Sequence, residues 1–68
     1  MNTKSLENCI NNFINGNLKD AREQATKLNK LNLIRCMMNL YGYSMNKAAK
    51  TAMYLKNEAT FQEACDAK

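Results

Sequence analysis

Apolar side chains recur at three- and four-residue spacing along this chain, and little in it favours a strand. Leu6, Ile10, Phe13 and Ile14 follow the i, i+4, i+7, i+8 pattern that lays one stripe of an α-helix against a core. Valine is absent, and the β-branched residues are three Ile and four Thr, poor material for a sheet. Proline is absent too, so punctuation falls to two glycines, Gly16 and Gly42, and to asparagine, the most frequent residue. With 68 residues, 46% of them apolar, the chain supports one small helical domain and has no room for a second. The expected fold is all-α, a compact bundle of four to five short helices over residues 1–68.

The boundaries follow from local chemistry. Ser5 is a candidate cap for the first helix, with Glu7 in its first turn. Asn15-Gly16-Asn17 ends it, because Gly16 adopts the left-handed conformation at low cost. Asn17 then caps a second helix whose inner stripe is Leu18, Ala21, Ala25 and Leu28. Leu31, Leu33, Ile34, Met37, Met38, Leu40 and Tyr41 form the densest apolar block, expected as the central helix with Gly42 as its stop. Ser44 caps the next helix, whose expected inner face is Met45, Ala48, Ala49, Ala52, Met53 and Leu55. Thr60-Phe61-Gln62-Glu63 has the spacing of a capping box and opens a short last helix with Phe61, Ala64 and Cys65.

Charge divides the chain unevenly. Residues 24–57 carry Lys27, Lys30, Arg35, Lys47, Lys50 and Lys56 with no acid, while residues 58–68 carry one lysine against three acids. The net charge of +4 is thus concentrated in the middle, which suggests one basic face. Such a face is either a solvated surface or a footprint for an anionic partner. Residues 37–54 also have the outline of a helix-turn-helix, with Gly42-Tyr43-Ser44 between two helices. The second helix would turn Asn46, Lys47, Lys50, Thr51 and Tyr54 to solvent, where they meet bases or phosphates. Met38, four residues before the glycine, departs from the small residue a tight crossing wants.

The stretch Leu40-Tyr41-Gly42-Tyr43-Ser44, followed by alanines at 48, 49 and 52, resembles a ubiquitin-associated-type three-helix bundle over the last half of the chain. That likeness implies a partner contact through Gly42 and Tyr43. FINGNLKDAREQA, GYSMNKAAKTAMYLK and the ending FQEACDAK together resemble small helical accessory proteins of phages and prophages. That resemblance implies binding to, and inhibition of, a host protein, as anti-CRISPR proteins do. Many such inhibitors are acidic mimics of DNA; this basic chain departs from them.

Catalytic chemistry has little to work with. There is no histidine, and with only Gly16 and Gly42 there is no glycine-rich phosphate loop. Cys9, Cys36 and Cys65 are odd in number and lack CxxC spacing, which reads as reduced thiols in a cytoplasmic protein without a metal centre or cofactor. Cys9 and Cys65 lie on or beside apolar stripes and are expected in the core; Cys36 is expected to be partly exposed. No apolar run has the length of a signal peptide or a membrane span. Met37, Met38, Tyr41, Tyr43 and Tyr54 gather around the central turn, as contact surface or as methionine-rich core. Domains below about 70–80 residues seldom gain more than about 3–5 kcal/mol from their core alone, so a homo-oligomer or a larger partner would supply missing burial. The sequence therefore points to a non-enzymatic binding protein whose partner is a protein rather than a nucleic acid or a membrane. The partner-binding candidates are Arg35, Tyr43, Lys47, Lys50 and Tyr54; DNA binding through the helix after Gly42 is the alternative.

Overall fold

The stripes fold into five helices. A computed structural model describes residues 3–68: α1 (Thr3–Ile14), α2 (Leu18–Ala25), α3 (Lys30–Leu40), α4 (Met45–Leu55) and α5 (Phe61–Asp66). Among the described residues there is no strand, and no helix is long and apolar enough to cross a membrane.

α1 and α2 form a tight hairpin. Gly16, at φ +86°, lets the Asn17 N–H reach back to the Asn12 carbonyl at 2.8 Å and the Gly16 N–H to Phe13 at 3.2 Å. This pairing occupies carbonyls that the end of a helix would otherwise leave open. Ala21 and Ala25 are fully buried on α2, and their small side chains allow a close approach. The Cys9 thiol on α1 donates to the Ala21 carbonyl at 3.1 Å. α1 begins at Thr3, so Ser5 lies inside the helix and is not its cap. Asn17 holds the cap position of α2 without a side-chain bond to it; its amide instead donates to Asn12 at 3.5 Å. Asn29, which periodicity did not single out, caps α3 by accepting from the Leu31 and Asn32 N–H groups.

Ile10, Leu33, Met37 and Leu55 are the largest fully buried apolar side chains. α4 packs against α3 and α5 and touches α2, while α1 packs on α2 and α3. The central helix is therefore α4, not the more apolar α3. α3 buries a single stripe, Leu33, Cys36 and Met37, and leaves Leu31 and Leu40 exposed. On α4 the order is reversed: a wide arc of small residues, Ala48, Thr51 and Ala52 with Tyr54 and Leu55, is covered on several sides. Small side chains let three neighbours approach one helix; large ones on α3 satisfy the core with fewer.

α4 ends as α1 does, with an asparagine in the glycine's place. Asn57 takes φ +62°, the Glu58 N–H donates to Met53 at 2.7 Å and the Asn57 N–H to Tyr54 at 3.0 Å. Asparagine is the non-glycine residue that best tolerates this conformation. The reversal sends α5 back along α4. The predicted capping box opens α5: Thr60 Oγ1 accepts from the Glu63 N–H at 3.1 Å, and Glu63 Oε1 accepts from the Thr60 N–H at 3.2 Å.

Candidate functional site

The returning α5 decides which of the proposed contact residues reach solvent. Phe61 brings its ring to 5.5 Å from Tyr54, and Phe13 of α1 closes the trio at 5.9 Å from Tyr54 and 6.2 Å from Phe61. Arg22 lies over the outer face of Tyr54, 5.5 Å from its centroid, and donates to Asn57 Oδ1. Tyr54 is only 8% exposed as a result, which corrects its placement on a solvent face. Thr51, expected beside it in solvent, is 1% exposed, and its hydroxyl has no hydrogen-bond partner. Two of the five residues of the supposed recognition face are thus core, Tyr54 because α5 returns over it.

Arg35 is exposed on α3; Tyr43, Lys47 and Lys50 are half-buried. The fold brings Tyr43 and Lys47 together, with the Lys47 ammonium 5.1 Å from the Tyr43 ring centroid. Tyr43 also meets Tyr41 edge-on at 6.4 Å. The Tyr41 hydroxyl donates to Asn11 Oδ1 at 2.8 Å, and burial holds its pKa above the ordinary tyrosine value. This ties the turn to α1. Gly42, at φ +70°, lets both the Tyr41 and the Tyr43 N–H reach the Met37 carbonyl. Ser44 then caps α4 by accepting from the Lys47 N–H at 3.1 Å.

Met45 was expected to face inward. It stands at the first position of α4, beyond the reach of the helices that cover Ala48 and Ala52, and is 69% exposed. Leu40, at the end of α3, is 60% exposed. The two apolar residues flank the turn that carries Tyr43, and Lys47 follows on the first turn of α4. Ile14, Leu31 and Phe61 are the remaining exposed large apolar residues.

Other cations have structural partners. Lys56 donates to the carbonyls of Ala25, at 2.5 Å, and of Leu28, in the turn that follows α2. Lys30 pairs with Glu58 at 2.5 Å. The sequence signal for Lys56 was the acid-free run itself, which does not separate a buried cap from a surface charge.

The cysteines divide differently from expectation. Cys9 is buried as foreseen, and burial pushes its thiol up to about 11. Cys36 is buried rather than partly exposed, and burial raises its pKa too, with Glu7 adding in the same direction. Cys65 is exposed, because the six-residue α5 turns Ala64 inward instead. Burial thus disfavours the reactive thiolate form at Cys9 and Cys36.

A cleft of about 470 Å³ runs between α1 and α2, with Asn8, Asn12, Asp20, Glu23 and Lys27 on its walls. None of the proposed contact residues lines it. A second groove, about 290 Å³, lies between α1 and α3 and includes Arg35 and Leu40. No family model, no characterised protein and no solved structure matches the chain.

Proposed function

We propose that this chain is a non-enzymatic binding protein that acts in the cytoplasm by docking on a host protein and altering its activity. The observation that carries the reading is Met45, more than two-thirds exposed beside the Tyr43–Lys47 pair. An exposed apolar side chain next to an aromatic ring and an adaptable methionine is the composition of a protein contact, not of a solvated face. The likeness to small helical phage accessory proteins supports a host protein as the target. DNA reading by α4 has lost Thr51 and Tyr54 as contact residues, which leaves it without a continuous recognition face.

The test is capture from host extract on immobilised protein, with wild type, Met45→Glu and Lys47→Glu side by side. A protein partner retained by wild type through a rise in salt, insensitive to nuclease and lost by Met45→Glu, supports the reading. Capture that collapses steeply with salt and with nuclease overturns it in favour of nucleic acid, whose phosphate contacts release counterions.

A further inference from the structure

This inference rests on the reading above and concerns what the partner offers. Leu40 lies on the same face of α3 as Leu33 and Met37, seven and three residues earlier. Those two are fully buried, whereas Leu40 overhangs the groove between α1 and α3. Leu6, Cys36 and Leu40 give the groove an apolar lining, and Thr3, Asn32, Arg35 and Asn39 the polar part of it. The core stripe of α3 thus continues to an exposed leucine at the end of the helix, beside α1.

Arg35 is the one charged side chain among the described residues that line this opening. Arg35 is exposed and has no acidic partner among the described residues. Glu7, whose field reaches Cys36 beneath it, makes no ion pair there. Lys47 stands on the far side of the Gly42 turn, and residues 24–57 contain no acid. At about 290 Å³ the groove is at the small end for a small-molecule site, for which roughly 300–1,000 Å³ is usual. An apolar lining is also a poor match for a phosphate backbone, which needs cations alone. We infer that the groove receives an apolar side chain from an acidic segment of the partner protein, with Arg35 holding a carboxylate. The planar guanidinium suits that role because it pairs with a carboxylate through two parallel hydrogen bonds.

Three labelled synthetic peptides test this by fluorescence anisotropy: one of Glu and Leu, one of Lys and Leu, one of Glu and Ser. The Glu/Leu peptide binds wild type, and the other two bind weaker by about tenfold or more. Arg35→Glu and Leu40→Glu each weaken the Glu/Leu peptide by a similar factor, while Lys19→Glu on α2 leaves it unchanged. Both substituted positions are exposed, and circular dichroism confirms that the variants fold. Amide shifts of Leu6 and Cys36 on titration locate the peptide in the groove. Equal binding of the Glu/Leu and Lys/Leu peptides overturns the inference, as does indifference to Arg35→Glu. Binding to anionic phospholipid vesicles without peptide preference overturns it in favour of a membrane. If Met45→Glu abolishes capture of a host protein while no peptide binds, the protein-binding reading stands and this inference falls.

Discussion

Lys56 shows how a charge that looks like surface becomes part of the frame. From a position just past the end of α4, its ammonium donates to the carbonyl of Leu28, in the turn after α2, and to that of Ala25, which also accepts from the Leu28 N–H. Carbonyls left without a donor at a covered helix end carry a desolvation cost, and a cation there also meets the negative end of the helix dipole. Lys56→Met keeps the length of the stem and removes the donor. It is expected to cost roughly 1–3 kcal/mol in a urea melt, with Lys50→Met near zero as the control. Equal effects at the two positions would mean that the carbonyls are satisfied by water. Thr51 is the opposite case: a buried hydroxyl with no partner, on the helix that most neighbours crowd. Both residues sit in the acid-free stretch, and periodicity treated both as solvent-facing or basic surface.

At the scale of the element, α5 is the smallest helix and settles the most. It covers Tyr54 through Phe61, buries Ala64 and so removes Tyr54 from the recognition face expected on α4. Six residues nucleate poorly on their own, so the capping box bears a large part of its order. Thr60→Ala is expected to cost about 0.5–2 kcal/mol through the lost cap, and Thr3→Ala, at the first position of α1, almost nothing. A calorimetric comparison of the two variants checks this; matched shifts would mean that α5 does not depend on its cap. The capping box was legible because it is written in four consecutive residues. So were the helix count, the stops at Gly16 and Gly42, and the alanine stripe of α4, all of which are local. What covers a face was not legible. Tyr54 is buried because a left-handed Asn57 reverses the chain and brings Phe61 against it, whereas Met45 and Leu40, at the ends of α4 and α3, stay exposed. Periodicity places a residue on a face but does not say how far the partner helix extends. Of the contact residues expected, Arg35 stays exposed to solvent, Tyr43, Lys47 and Lys50 keep part of that access, and Tyr54 loses it.

For the whole molecule the question is whether its charges hold it together or push it apart. Among the described residues one ion pair is seen, Lys30–Glu58, and both side chains are more than two-fifths exposed. Such pairs contribute little. Lys56 is spent on carbonyls, and Arg22 on an amide and a ring. Arg35, Lys47 and Lys50 then stand on α3 and α4 without an acid in the intervening sequence, in a chain of net charge +4. Repulsion among them acts over the Debye length, about 30 Å at 0.01 M salt and about 8 Å at 0.15 M. Salt weakens both the repulsion and the single attraction, and the repulsion is the larger. The melting temperature is therefore expected to rise on going from 0.01 to 0.15 M sodium chloride. Half a kilocalorie of relief corresponds to roughly 2–4 °C in a domain of this size. Thermal melts followed by circular dichroism across that range measure it. Lys47→Glu should flatten the dependence, since it removes one cation and supplies an acid beside the others. A melting temperature that falls with salt would mean that ion pairs hold the bundle. In that case the basic surface is a structural network, not a face kept open for an acidic partner.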